Sequence, residues 1–245
     1  MGRRRTKTAR PHLPSVEIGG CPIPEDRLYD LENDVWYLPE VGGARIGLLG
    51  PLVWFAGTFR TVAYRPVEGT IARGRSVATV ESTRFTGAVR LPVDGVVVQR
   101  NPAIVERPRL LNDAPYDEGW VVRIRPIHPP EQTPGLETAA AVAARLGERI
   151  RRQRIRCWPQ TPDAELYEIG IECSAVITLL NEELRGRPAG DALLLVTDDP
   201  TSPIEMERWS DQTGHRLLAH RSEGNLHQFL VRKEAHPVPR RRPGG

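Results

Sequence analysis

Hydrophobic and polar positions along this 245-residue chain change rhythm twice. From residue 25 to 130, short runs of Val, Ile, Leu, Thr and Tyr are broken every few residues by Gly or Pro. That pattern predicts a small β-sandwich or flattened barrel. Within it, Val80–Phe85 lies between two strand-like segments, Pro92-Val93-Asp94-Gly95 reads as a turn, and Val96-Val97-Val98 opens the next strand. Pro126, Pro129, Pro130 and Pro134 mark a boundary, after which Leu136–Arg156 has high helix propensity. The apolar stripe read there (Leu136, Ala140, Ala143, Ala144, Ile150) is narrow. Arg145, Arg149, Arg151, Arg152, Arg154 and Arg156 cover most of the circumference, so the stretch predicts a helix that bridges two domains and builds no core. Pro159 and Pro162 end it.

The last third has another period. Leu166–Ile169 is a short strand. Val176, Leu179, Leu180 and Leu184 then fall at helical spacing over Ser174–Arg185, with Gly186 as the stop. Leu193–Val196 is a buried type of strand. Thr201-Ser202-Pro203 with Glu205 starts a second helix, closed by Gly214, and His215–His220 and Leu226–Arg232 read as paired strands. The order β-α-β-α-β-β predicts a two-layer α/β sandwich. The whole is read as α+β in two domains. Residues 1–24 form a disordered basic tail and 25–130 the β-domain. Residues 131–163 form a Pro-rich linker with the Arg-rich helix, 164–235 the α/β domain and 236–245 a disordered tail.

Composition narrows the class. The net charge is only +3, concentrated in Arg3-Arg4-Arg5, the Arg145–Arg156 stretch and Arg240-Arg241-Arg242. No apolar run is long enough for a membrane helix, and no apolar segment follows the basic start, so no secretion signal and no membrane partner are expected. Three cysteines, Cys21, Cys157 and Cys173, are too few and too irregularly spaced for a disulfide framework or a zinc site. The expectation is a cytoplasmic chain with reduced thiols. All but Lys7 and Lys233 of the 34 basic residues are arginine.

The stretch Asn112-Asp113-Ala114-Pro115-Tyr116-Asp117-Glu118-Gly119-Trp120, with Val80-Glu81-Ser82-Thr83-Arg84-Phe85 before it, resembles the glycine-cleavage H-protein family of lipoyl carriers over residues 25–126. The resemblance implies a single-hybrid lipoyl-type fold. It also implies that the residue at position 84 carries lipoate through an amide on a lysine ε-nitrogen. Arg84 stands there instead. A guanidinium is delocalised, cationic at any working pH and a poor nucleophile. Arg84 is therefore expected to be unmodified, lipoate absent, and the chain without a cofactor.

Cys173 stands where a strand hands over to a helix, a setting that favours thiolate. Around it Gly170-x-x-Cys173, Pro188-Ala189-Gly190-Asp191, Thr197-Asp198-Asp199-Pro200, Gly214-His215 and Phe229–Lys233 resemble the TusA/SirA-type sulfur carriers over residues 164–234. The resemblance implies a cysteine that accepts and passes sulfur as a persulfide. Two departures stand against it. The family's Cys-Pro-x-Pro reads Cys173-Ser174-Ala175-Val176, which loses the proline that stiffens the turn. Glu172 places a carboxylate beside the thiol, which opposes its ionisation.

Other signals add little. Met1–Thr6 fits a myristoylation pattern and Gly244-Gly245 a diglycine tail, both read as disordered ends. His215, His220 and His227 lack ligand spacing, so no metal is expected. The Arg-rich helix lacks interleaved aromatics, so nucleic acid is not expected either. Trp36, Trp54 and Trp120 fit the β-domain core, and Gly42–Gly47 is a strand-joining turn. The resulting reading is a carrier and docking protein of bacterial sulfur metabolism, favoured over an enzyme without deciding between them, and sulfurtransferase-type if Cys173 is active. Its partners are sulfur donor and acceptor proteins or lipoyl-recognising enzymes. A non-catalytic adaptor with both carrier sites lost, and a glycine-cleavage H protein, are the alternatives.

Overall fold

The computed structural model describes residues 14–82 and 84–239. The first thirteen residues of the expected basic tail, and residues 240–245 at the other end, lie outside the described residues. The chain forms two compact units, Met1–Cys157 and Trp158–Gly245.

The first unit opens with a hairpin, β1 (Ser15–Ile18) and β2 (Cys21–Pro24), where the sequence suggested disorder. There follow β3 (Leu28–Asp30), β4 (Val35–Glu40), β5 (Gly43–Leu48), helix α1 (Gly50–Ala56), β6 (Phe59–Tyr64), β7 (Ser76–Ser82), β8 (Thr86–Arg90) and β9 (Gly95–Arg100). Short helical turns α2 (Ala103–Glu106) and α3 (Leu110–Asp113) lead to β10 (Trp120–Pro126), β11 (Glu137–Thr138) and helix α4 (Ala139–Arg152). A six-stranded sheet in the order β11-β3-β4-β5-β10-β9 faces a three-stranded sheet β6-β7-β8. Val35, Tyr37, Ile46, Leu48, Val62, Val80, Val89 and Ile124 fill the space between them, each supplied by the inward positions of an alternating strand. This is the expected flattened β-domain.

A second core lies on the other side of the larger sheet, and it overturns three expectations. Ala139, Val142, Leu146 and Ile150 of α4 pack with Ile18, Cys21 and Ile23 of the hairpin against Tyr29, Trp36 and Leu49. Helix α4 therefore builds core, and does not bridge domains. Its buried stripe runs through Val142, Leu146 and Ile150, with Ala143 partly buried beside it, while Ala140 and Ala144 are exposed. The outward arginines are compatible with burial of that one face. The hairpin is ordered because Ile18 and Ile23 bury against a helix more than a hundred residues away. Gly19, at φ 59°, lets the turn press so close that an added Cβ would sit 2.8 Å from Ile150 Cγ2. Lastly, Cys21 and Cys157 are joined by a disulfide across a sequence separation of 136, with Cα atoms 5.1 Å apart. Spacing along the chain gave no hint of it, because only the packing of the hairpin beside the segment after α4 brings the two together.

The second unit consists of β12 (Ala164–Glu168), α5 (Cys173–Arg185), β13 (Ala192–Thr197), α6 (Ser202–Thr213), β14 (Arg216–Glu223) and β15 (Leu226–Arg232). Its sheet runs β12-β13-β15-β14, with β12 parallel to β13 and the other pairs antiparallel, the predicted β-α-β-α-β-β order. Val176, Leu180 and Leu184 of α5, with Met206 and Trp209 of α6, close over Leu193, Leu195, Phe229 and Val231. Gly214 ends α6 at φ 75°, and an added Cβ there would lie 2.4 Å from the Val238 backbone. Residues 236–239, read from the sequence as part of a disordered tail, thus run beside the end of α6. Among the described residues, no helix is long and apolar enough to cross a membrane.

Candidate functional site

The first locus is the tip of the β7–β8 hairpin. Ser82 builds it. Its N–H donates to Phe85 O at 2.8 Å, and its hydroxyl donates to Ala56 O at 2.6 Å, tying the tip to the end of α1. The same oxygen accepts the N–H groups of Arg84 at 3.2 Å and Phe85 at 3.0 Å. Phe85 folds back over Gly87, where any side chain would collide with the ring, and packs on the inter-sheet core. The result is a fixed platform that presents residue 84, an exposed arginine, at its apex.

The residues around Asn112 support the same end of the unit. Asn112 Oδ1 accepts the Phe59 N–H and its Nδ2 donates to Gly57 O, both at 2.9 Å, so one buried amide holds the turn between α1 and β6. Pro115 O accepts Trp36 Nε1–H at 3.0 Å, and the Tyr116 hydroxyl accepts the Gly50 N–H at 2.9 Å. The buried Arg27 guanidinium lies 4.8 Å over the Trp36 ring and 5.3 Å from that of Tyr116, and donates to Tyr116 O at 2.9 Å. Gly119 has carbonyls of Leu110 and Ala114 where a Cβ would be. The Asn-Asp-x-Pro-Tyr-x-Glu-Gly-Trp stretch is therefore structural: it braces the β-domain near its hairpin platform. Trp36 is fully buried, while Trp54 and Trp120 pack partly buried against the second core.

The second locus is the start of α5. Cys173 is the first residue of the helix and only 6% exposed. The predicted helix began one residue later. Glu172 occupies the N-cap position without a side-chain cap. The cap comes instead from the loop between β13 and α6: Asp199 Oδ2 accepts the Cys173 N–H at 2.8 Å. Asp199 Oδ1 accepts both the N–H and the hydroxyl of Thr201, at 2.7 and 2.6 Å, and the neighbouring Asp198 carboxylate accepts the Gly170 N–H at 2.7 Å. One carboxylate thus caps α5 and orders the entry to α6, whose N-cap Thr201 makes no side-chain cap of its own. Hydrogen bonds from Thr201 hold Asp199 below the usual carboxylate range.

The electrostatics of the thiol run against the expectation from its position. Burial pushes the Cys173 thiol up from 9.0, the Asp199 and Glu205 carboxylates push it further, and the Thr201 hydroxyl opposes them. Burial and two anions outweigh the Thr201 hydroxyl. Cys21 and Cys157 are engaged in their disulfide, so Cys173 is the free cysteine of the described residues.

Three histidines were read as lacking ligand spacing. His215 accepts the Glu234 N–H at 3.2 Å and lies beside Trp209, a structural placement. His220 and His227, by contrast, meet across the β14–β15 hairpin, with His220 Nε2 3.4 Å from His227 Nδ1. The Ser222 hydroxyl lies 2.9 Å from His227 Nδ1 and 3.3 Å from His220 Nε2. The Gly224 turn was the available signal, since it fixes which residues of the two strands share a face. Among the described residues, no group of three or more His, Cys, Asp or Glu side chains is arranged to hold a metal ion.

A β-domain with one exposed residue on a braced hairpin tip, and an α/β unit with one buried cysteine at a helix start, are the features that carried the two resemblances. The comparisons agree. Residues 27–149 match the family model described as Glycine cleavage H-protein, and residues 168–233 the one described as Sulfurtransferase TusA. The chain belongs to the glycine cleavage H-protein family and carries a TusA-like domain after it. It is 37% identical over 148 residues to glycine cleavage system H protein 5 of Aquifex aeolicus (strain VF5), covering 58% of this chain and 99% of that one. With probable glycine cleavage system H protein 2 of Sulfurisphaera tokodaii it shares 32% over 145 residues, covering 58% and 97%. The crystal structure of a glycine cleavage system H protein from Mycobacterium marinum matches at 29% identity and a TM-score of 0.46, covering 51% of this chain and 99% of that one.

Proposed function

We propose that this chain is a sulfur-relay carrier of bacterial sulfur metabolism: its H-protein domain is not lipoylated, and Cys173 of its TusA-like domain holds the cargo. The observation that carries this reading is the side chain at the hairpin apex. The platform is intact, yet residue 84 is an arginine, and no lysine lies between Lys7 and Lys233 to take its place. A covalent load then falls to the free thiol at the start of α5. In the transfer step, the Cys173 thiolate attacks the terminal sulfur of a donor persulfide R–S–SH. A new S–S bond forms as the donor's S–S bond breaks, R–S⁻ leaves and takes up a proton, and the oxidation state of the system is unchanged. The H-protein domain would serve as a docking surface for enzymes that recognise lipoyl carriers, raising the local concentration of the persulfide there.

The test is to incubate the purified chain with a cysteine desulfurase and cysteine, then map added sulfur by mass spectrometry. One sulfur atom on Cys173 supports the relay. An unmodified thiol under conditions that load a TusA protein refutes it.

A non-catalytic adaptor is the second reading. It is favoured by the burial of Cys173 and by the carboxylates that oppose its ionisation. It predicts that Cys173→Ser leaves partner capture unchanged.

A further inference from the structure

The histidine pair on the β14–β15 hairpin has no part in either carrier site as described so far, yet it lies at the Cys173 end of its unit. Strand register pairs His227 with Thr197. The Thr197 hydroxyl, fully buried, accepts the Asp199 N–H at 3.3 Å, and Asp199 in turn accepts the Cys173 N–H. Strand pairing thus sets His227 opposite Thr197, two hydrogen bonds lead from Thr197 through Asp199 to Cys173, and the field of His227 reaches the Asp199 carboxylate. We propose that Asp199 and His227 are positioning residues for Cys173, the carboxylate fixing the start of α5 and the imidazole setting how much negative charge that carboxylate presents to the thiol.

Two ring nitrogens 3.4 Å apart, bridged by the Ser222 hydroxyl, share a hydrogen more readily than they accept two charges. His220 stacks on Phe229 with ring centroids 4.4 Å apart, and burial followed by the neighbouring His227 holds it below its ordinary 6.5. Charged groups around the pair and the thiol include Asp199 from the β13–α6 loop, Glu205 and Glu207 from α6, and Arg221 and Glu223 on β14 itself. With the pair protonated, the imidazolium offsets Asp199 and thiolate forms more readily. With the pair neutral, Asp199 acts on the sulfur unopposed. The functional meaning rests on the sulfur-carrying reading of Cys173: mild acidification would then cost this thiol less of its reactivity than it costs an isolated cysteine.

The coupling is measured without any sulfur donor, by the rate at which iodoacetamide alkylates Cys173 in the intact, unreduced chain. The other two cysteines are held in their disulfide and do not react. From about pH 5 to about pH 9 the logarithm of the rate is expected to rise less steeply than for one ionisation. At the acid end it should exceed the extrapolated single-group line by roughly 2- to 5-fold. His227→Gln is expected to abolish that excess, and His227→Arg to keep it at every pH. Asp199→Asn should raise the rate and remove the histidine dependence. An identical profile for wild type and His227→Gln overturns the proposal. Because His227 is only half-buried, its variants report even if Asp199→Asn weakens the helix start. Desulfurase loading on the same samples separates the two claims. Coupling without loading refutes the relay alone, and loading with an uncoupled profile refutes the positioning role alone.

Discussion

Reduction of the Cys21–Cys157 disulfide should destabilise the first unit and leave the second as it is. The bond closes a loop across a separation of 136 residues, and the chain-entropy relation assigns such a closure about 5 kcal/mol. Measured disulfides more often contribute about 2–4 kcal/mol, because the reduced unfolded chain keeps some structure and the native contacts persist. Here those contacts are substantial: Cys21 and Cys157 sit in the same core as Ile18, Ile23, Leu146 and Ile150. With a urea m-value of about 2 kcal/mol/M, a loss of about 2–4 kcal/mol moves the unfolding midpoint down by about 1–2 M. Pulsed hydrogen exchange across a urea series, with and without a phosphine reductant, reads each unit separately through peptides from α4 and α5. The α4 peptides should shift and the α5 peptides should not, since Cys173 is a thiol in both samples. A shift below about 0.5 M in α4, or alkylation of Cys21 and Cys157 in unreduced protein, would refute the reasoning.

Leu146→Ala tests whether α4 belongs to the first core: its side chain is fully buried, so a loss of about 2–5 kcal/mol is expected in urea unfolding, against almost none for a helix that merely spans a gap. Arg84→Lys restores a primary amine at the braced hairpin tip, so intact mass after incubation with a lipoate ligase and lipoate should show a lipoyl adduct on the variant and none on the native chain. For pH, the Cys173 thiol is held above 9.0 in the fold, so the unfolded thiol ionises first. Stability from this group is complete below pH 9.0 and declines as pH rises through that value toward the folded one, a slope that Cys173→Ser should remove from the alkaline unfolding profile of the second unit. Asp199 has the opposite sign: its depressed value makes its contribution present above 3.8 and lost as pH falls below it.

How much of this was legible in the sequence depends on how far apart the interacting residues lie. The second unit was nearly all legible, because Val176, Leu180 and Leu184 repeat at helical spacing within thirteen residues and Gly214 closes α6 locally. The hairpin tip at Arg84 was legible for the same reason. The role of α4 was misread although the signal was there: Val142, Leu146 and Ile150 recur every four residues, but the abundance of alanine and arginine drew attention to a weaker stripe. The β1–β2 hairpin and its disulfide were illegible in principle. Their partners lie more than a hundred residues along the chain, and no periodicity connects positions so far apart. Asp199 and the His220–His227 pair fall between these cases, since each joins neighbouring loops or strands whose register has to be known first.

The loss of both prolines after Cys173 looked like the loss of the device that holds the sulfur in place. The geometry gives a different account. Proline stiffens a helix start by fixing φ within the turn itself. In this chain the restraint comes from outside the turn: the Asp199 carboxylate binds the first N–H of α5 while anchored to Thr201, and Asp198 fixes Gly170 just upstream. A cap of this kind contributes about 1 kcal/mol, comparable to other side-chain caps, so the turn need not be softer for lack of proline. It differs from proline in carrying charge. A proline holds the backbone and leaves the thiol's ionisation alone, whereas a carboxylate holds the backbone and also opposes thiolate. The same residue that preserves the shape of the site therefore makes its reactivity depend on whatever cation comes near, which ties the chemistry of Cys173 to its partners and its protonatable neighbours more than to its own position on the helix.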